Sequence, residues 1–407
     1  MDIRITPRKL SGTVKAPPSC MEGQRKLICA ALSAERTPSK VRNVSFSEDV
    51  CATLDALKAL GASYEIVGDS VVFYDFKPAG EITIHCRESK PTLMFMLPLV
   101  CCLHEVTATF TGGEMLLDES LDDLINLLKD RGIKCDYNGK MPFTVHGPIP
   151  SGEFYATSYT NISGLFIGLS HNYTDSMIFV ANKDSCRTYT DMTMQVLRDA
   201  KILTAFANGV YIVRGGQSYL LSDTEIGGDF QLASNFVVAN AISSNIRVTG
   251  LDAMSPQPER EVFEIVRKSQ ASNCKAFTLN AKDLISLVPI LSVYACSLNG
   301  ISRINGIKAD FYDCKPLIDA TCAMINAVGG KARAFTDSIE IEGVKKLNGG
   351  IVDSCNDYRI VLAAAILSTM CQNPVTIKHI ECITRHYPTF FDDFRRLGGI
   401  ADISSMN

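Results

Sequence analysis

Apolar and polar positions along this chain follow two periods, and the alternation between them repeats. Segments with apolar residues every three or four positions end in a short turn and run into stretches of period two. The clearest span 49–60, 121–131, 317–328 and 390–397, and each is followed by a glycine: Gly61, Gly132, Gly329 and Gly398. Weaker copies span 192–200, stopping at Lys201, and 261–269, stopping at Gln270. The pattern predicts amphipathic helices that end in a left-handed residue, a conformation glycine adopts without a Cβ clash. Successive stops at 61, 132, 201, 270, 329 and 398 lie 71, 69, 69, 59 and 69 residues apart. Such regularity predicts six copies of one structural unit.

Each amphipathic segment has a β-branched run ahead of it, at 41–44, 106–110, 177–180, 246–249, 301–304 and 375–377. Four further segments, 26–34, 92–102, 232–242 and 358–370, are apolar nearly all round and read as buried helices. The unit is therefore strand, buried helix, strand, amphipathic helix, strand, which makes an α/β protein. The shorter fourth interval and the turn Gly227-Gly228-Asp229 predict a boundary between two groups of three units.

Composition narrows the function classes. The chain has 407 residues, 46% apolar and 21% charged, with a net charge of −4. That balance argues against nucleic acid or an anionic membrane as a bulk partner. The longest apolar stretch, 360–367, is too short to span a bilayer, and residues 1–5 do not open a signal peptide. Fifteen cysteines without a CxxC pair read as reduced thiols of a cytoplasmic protein. Six histidines without HxH or HExxH spacing give a metal site no support, and there is no Walker or dinucleotide glycine pattern, so no cofactor is expected.

Six short motifs, in order along the chain, carry a resemblance. The run Pro17-Pro18-Ser19-Cys20-Met21-Glu22-Gly23-Gln24-Arg25 resembles Pro-Gly-Ser-Lys-Ser-x-Ser-x-Arg, and Cys86-Arg87-Glu88-Ser89-Lys90-Pro91-Thr92-Leu93-Met94-Phe95 resembles Cys-Gly-Glu-Ser-Gly-Thr-Thr-Leu-Arg-Phe. Tyr189-Thr190-Asp191-Met192-Thr193, Ser286-Leu287-Val288-Pro289-Ile290-Leu291, Asp357-Tyr358-Arg359-Ile360 and His386-Tyr387-Pro388-Thr389-Phe390-Phe391 resemble Tyr-Ile-Asp-Met-Thr, Asp-Leu-Val-Pro-Ile-Leu, Asp-His-Arg-Ile and Ser-Tyr-Pro-x-Phe-Phe. These are motifs of the 5-enolpyruvylshikimate-3-phosphate (EPSP) synthase family within the enolpyruvyl transferases. The resemblance implies a two-lobed, inverse α/β barrel-like fold of six βαβαβ-type repeats, three per lobe. It places residues 15–226 in one lobe and 1–14 plus 227–407 in the other, and implies a monomer with a small anionic molecule in the interlobe cleft.

The family joins phosphoenolpyruvate to the 5-hydroxyl of shikimate 3-phosphate, so its cleft must offset two phosphates and two carboxylates and must move protons. Carried across position by position, much of that equipment is replaced. The lysine of the first motif is Cys20, and the serine after it is Met21. A glycine is Lys90, followed by Pro91, which has no amide hydrogen. Three arginines are Met94, Glu119 and Leu317; a lysine is Asp313. The two carboxylates implied in proton transfer are Ser286 and Cys314. Arg25, Ser158, Tyr189, Asp229 and Arg359 remain, with Arg385 in place of a lysine. Each lost charge-assisted bond is worth roughly 1.5–3 kcal/mol, so five losses weigh heavily against phosphoenolpyruvate binding.

Three readings follow from different classes. The chain is a degenerate paralogue without transferase activity, or a transferase for a different, less anionic substrate, or a working EPSP synthase with displaced cations, for which Arg87, Lys90, Arg187 and Lys315 are the candidates. Each retained residue also has a structural reading. Arg25 can satisfy carbonyls at the start of a buried helix, Arg359 can pair with Asp357, and Tyr189 can be a packed aromatic. Cys20, Cys186 and Cys314, all at positions the resemblance assigns to the cleft, are small apolar fillers before they are a metal or redox site.

Overall fold

The computed structural model describes residues 1–117, 120–156, 161–181, 187–308 and 314–404. The chain divides into two compact units, Pro18–Gly227, and Met1–Pro17 with Gly228–Asn407. Each is built from strands on the outside of buried helices.

In Pro18–Gly227 the predicted unit occurs three times. The second copy shows the pattern best. Strand Gly80–His85 leads through the buried helix Lys90–Cys102 to strand Val106–Thr111, which lies parallel to it. The amphipathic helix Asp122–Asp130 then leads into the short strands Lys134–Cys135 and Phe143–His146, whose antiparallel pairing completes a four-stranded sheet. The third copy repeats this with strands Glu153–Ala156, Ser176–Val180, Val210–Val213 and Thr204–Ala207, in that order across the sheet. In the first copy Thr224–Glu225 returns from the end of the unit to lie parallel to Ser39–Arg42.

The other unit closes through the start of the chain. Strand Asp2–Thr6 sits between Val375–Lys378 and Ile400–Ser404, antiparallel to both. Ser11–Lys15 pairs in parallel with Asn245–Thr249, and among the described residues this sheet has two strands. The fourth copy thus lacks the hairpin of the others, which accounts for its short interval.

Five of the six predicted helix stops have positive φ: Gly61 at 100°, Gly132 at 87°, Lys201 at 64°, Gly329 at 86° and Gly398 at 91°. The exception is Gln270, which lies inside the helix Val262–Ala271. The chain turns at Asn273, φ 60°, because asparagine tolerates the left-handed region and the intervening Ala271 and Ser272 continue the helical turn.

The buried helices fill the core of each unit. Two of them, Ile162–Leu169 and Val288–Cys296, are buried along their whole length. The first packs against Lys90–Cys102 through Gly164, where a Cβ would come within 2.2 Å of the Met94 carbonyl oxygen. Backbone therefore approaches backbone, and an alanine at Gly164 would push the helices apart.

Candidate active site

In Pro18–Gly227, the retained residues gather around the first turns of the helix Cys20–Ser33. Ser19 caps this helix, its hydroxyl accepting from the Glu22 amide at 3.5 Å. Cys20 follows, half-buried, with the Ser47 hydroxyl donating to its sulfur at 3.3 Å. One turn on, Arg25 is only 2% exposed. Its Nε donates to Thr193 Oγ1 at 2.7 Å, its Nη1 to the Met21 carbonyl at 2.7 Å, and its Nη2 to the Tyr189 carbonyl at 3.5 Å. The guanidinium also lies 4.8 Å from the centre of the Phe95 ring. Burial lowers its pKa to about 10, partly countered by Tyr189 and the thiol of Cys20. Thr193, on the helix Thr188–Asp199, bridges from Arg25 to Ser163 at 2.8 Å. Arg25 and Tyr189 are thus brought together, but through the Tyr189 backbone.

Among the replaced positions of this unit, Met94 is 7% exposed and belongs to the apolar core. The displaced cations have partners nearby. Arg87 bonds Asp55 through Nε at 2.8 Å and Nη2 at 2.5 Å, with Glu48 at 3.5 Å. Arg187 bonds Asp191 at 3.1 Å and covers the Phe206 ring at 4.0 Å. Ser158 and the positions Glu119, Cys186 and Asp313 lie outside the described residues.

In the other unit, Asp357 caps the helix Tyr358–Leu367 and holds Arg359 at the same time. Its Oδ1 accepts from the Arg359 amide at 2.9 Å, while the two carboxylate oxygens take Nε at 2.9 and 3.2 Å and Nη2 at 2.6 Å. Arg359 lines a small pocket with Gln231, Asn235, Ser286, Pro289, Ile290 and Leu362. The Ser286 hydroxyl donates to Glu259 Oε1 at 2.8 Å, and Glu259 is itself buried. Gln231 Nε2 donates to the Tyr358 hydroxyl at 2.6 Å. Asn235 donates through Nδ2 to the Leu232 carbonyl at 3.1 Å, and its buried Oδ1 has no hydrogen-bond partner. Cys314 and Leu317 are 5% and 4% exposed and belong to the core of this unit. Lys315 pairs with Asp319 one turn along its helix, and Arg385 is exposed on the turn Ile380–Arg385.

Sequence reasoning singled out Arg359 and Ser286 but missed Gln231, Asn235 and Glu259. A signal existed for Asn235, an amide that with Ser234 interrupts the apolar run 232–239, because a polar group there must be satisfied or exposed. Among the described residues no cluster of three or more metal-ligating side chains occurs, and no helix is long and apolar enough to cross a membrane.

A sequence model of EPSP synthase (3-phosphoshikimate 1-carboxyvinyltransferase) matches residues 5–394. A 3-phosphoshikimate 1-carboxyvinyltransferase of Clostridium novyi (strain NT) is 32% identical, over 100% of this chain and 99% of its own length. One of Clostridium botulinum (strain Alaska E43 / Type E3) is also 32% identical, over 97% of each chain. The solved EPSP synthase of Acinetobacter baumannii superposes with a TM-score of 0.85 over 99% of this chain and 100% of its own, at 17% identity, which carries the fold alone. The chain therefore has the enolpyruvyl transferase fold and belongs to the EPSP synthase (3-phosphoshikimate 1-carboxyvinyltransferase) family.

Proposed function

We propose that this chain is a degenerate member of its family, unable to transfer the carboxyvinyl group of phosphoenolpyruvate to shikimate 3-phosphate. The observation that carries this reading is where the replaced positions have gone. Met94, Leu317 and Cys314 stand where the resemblance requires two arginines and a glutamate, and all three are buried in apolar cores. A charged side chain restored at any of them would need repacking around it, so these sites are now scaffold. The displaced-cation reading is weakened in parallel. Arg87, Arg187 and Lys315 are each held by a carboxylate within their own unit. A guanidinium already paired gives a substrate phosphate less than an unpaired one does.

The reaction needs a proton donor for the enol carbon and a base for the hydroxyl. Ser286, hydrogen-bonded to Glu259, and the buried thiol of Cys314 supply neither at neutral pH without further activation. The test is direct: purified protein with both substrates, followed by phosphate release and by EPSP formation. No turnover above a no-enzyme control is expected. Turnover that Arg25→Ala abolishes would overturn the proposal.

One observation favours a second reading, a transferase for a less anionic substrate. Arg359 is retained beside the hydroxyl and amide groups of Ser286, Gln231 and Asn235, donors that could help to hold one carboxylate or phosphate. The protein is further proposed to act in the cytoplasm and, if inactive, to be retained as a binding protein.

A further inference from the structure

Position 286 has no carboxylate, yet a carboxyl group stands one hydrogen bond behind it. Ser286 lies on the turn Ile285–Leu287, which opens the buried helix Val288–Cys296, and lines the pocket that holds Arg359. Its hydroxyl hydrogen is directed to Glu259 Oε1 at 2.8 Å. Glu259, on the turn Pro258–Glu261, is only 3% exposed. With its hydrogen given to Glu259, the Ser286 oxygen keeps its lone pairs for whatever lies in the pocket.

The neighbours of Glu259 fix its place. Gln257 is buried, its Nε2 donating to the Gly228 carbonyl and its Oε1 accepting from the Phe230 amide, both at 2.9 Å. Pro258 then sets the backbone at the start of the turn. The turn is thereby pinned to the first residue of the helix Phe230–Ile242, which also brings Gln231 and Asn235 to the pocket. The buried Asn235 Oδ1, without a hydrogen-bond partner, is a second acceptor in the same lining. An apolar residue at 259 would avoid the desolvation penalty of a carboxyl group, so a buried acid aimed at a pocket hydroxyl points to proton chemistry.

We propose, resting on the reading of this pocket as the site of a different substrate, that Glu259 exchanges a proton with the ligand through the Ser286 hydroxyl. A ligand hydroxyl that donates to Ser286 Oγ passes its proton there while Ser286 passes its own to Glu259. One O–H bond breaks on the ligand and one forms on Ser286; one breaks on Ser286 and one forms on Glu259. The ligand oxygen becomes a nucleophile, Glu259 becomes a neutral acid, and the total charge of the pocket is unchanged. The reverse transfer returns the proton. Ser286 touches the ligand, and Glu259 acts behind it as a positioning residue and proton store. The surrounding charges fit this role. Arg359 is paired with Asp357, and Asp229 caps the helix Phe230–Ile242. Arg260, Glu261 and Glu264, on the turn of Glu259 and the helix after it, are exposed, and His386 stacks on Tyr358, next to Arg359. An anion entering beside Arg359 adds negative charge close to Glu259 and so draws a proton onto it.

Sulfate is the probe, because it keeps its charge through neutral and mildly acid pH. Isothermal titration of the full chain at low ionic strength, in buffers of different ionisation enthalpy, counts the protons taken up as sulfate binds. Uptake of up to about one proton per sulfate is expected, with affinity rising by up to about tenfold for each pH unit of acidification. Arg359→Met should abolish the binding. Glu259→Gln should keep the binding and abolish the uptake, and adding Ser286→Asp should restore the uptake. His386→Gln, which removes the imidazole on Tyr358, should leave it in place. If Glu259→Gln folds poorly, infrared difference spectra of the parent protein should show a protonated carboxyl band that appears with sulfate and persists in Asp357→Asn. Binding without proton uptake, or uptake that survives Glu259→Gln, overturns the proposal and leaves the pocket an anion site. Sulfate that does not bind, or binds equally well to Arg359→Met, overturns the reading of the pocket and the proposal with it.

Discussion

Arg25 and Arg359 each belong to a buried helix, one in each unit, and each matches an arginine of the family, yet their charges are handled in opposite ways. Around Arg25 the acceptors are a hydroxyl and two carbonyls, with an aromatic ring alongside. The charge is desolvated and met by dipoles. Around Arg359 both oxygens of Asp357 sit in a fork, and the two side chains remain 19% and 18% exposed. That charge is met by a counter-charge near water. The first arrangement makes an arginine part of the scaffold, since its bonds cannot be given up without leaving buried acceptors unpaired. The second leaves an arginine whose pairing can be changed from outside.

The comparison breaks most sharply at Arg25. Arg25→Met should lower the stability of the protein by about 2–4 kcal/mol, because it strips donors from Thr193 and two carbonyls and empties the space over Phe95. Urea denaturation of variant and parent measures it; an unchanged midpoint would mean that Arg25 is not structural.

A second titratable group of the same unit tests the cost of desolvation where no acceptor is supplied. His171 stacks on Tyr219 at 5.3 Å, its buried Nε2 has no hydrogen-bond partner, and burial lowers its pKa to about 4. The folded state therefore holds the ring neutral while the unfolded chain takes up a proton near pH 6.5. Its contribution is full above that pH and is lost as pH falls from 6.5 through about 4. His171→Phe should flatten this limb of the stability profile and leave the neutral region nearly unchanged. A limb as steep as in the parent protein would exclude His171 as its source.

At Arg359 the smallest effect is expected, and in binding more than in stability. Asp357→Asn keeps a good helix cap but removes the counter-charge. Phosphate affinity at low ionic strength should rise about threefold and fall back in high salt, as an exposed pair of modest strength implies. Isothermal titration with inorganic phosphate reads this, and an unchanged affinity would show that Asp357 does not limit Arg359.

The fold was legible because its repeat is punctuated by residues with a conformational reason to be there. Gly61 could be read as a helix stop without knowing its surroundings, since its φ of 100° is one that a residue with a Cβ rarely adopts. The misplacement at Gln270 has the same cause, for there the left-handed residue is an asparagine three positions later. The helices Ile162–Leu169 and Val288–Cys296 carry no period because every face is buried, so pattern alone could not mark them. The helix Cys20–Ser33 begins six residues before the apolar run starting at 26, where Ser19 supplies the cap. The site was less legible. That Arg25 matters is visible in its motif, but Thr193 lies 168 residues away, and which acceptors a guanidinium meets is a property of packing. Asn235 and Glu259 became interesting only once two distant helices put them beside Ser286 and Arg359.

The cysteines that resisted a functional reading have a use of another kind. Cys29, Cys101 and Cys102 are buried in the unit Pro18–Gly227, and Cys296 and Cys371 in the other, with burial pushing the Cys296 and Cys371 thiols up to about 12 and about 11. A thiol held protonated and out of solvent is silent toward alkylating reagents until the backbone around it opens. Cys274 and Cys355, exposed on turns, react at once and set the zero of the scale. Each unit thus carries its own built-in stopwatch, and the order in which the silent thiols become reactive records which half of the molecule lets go first.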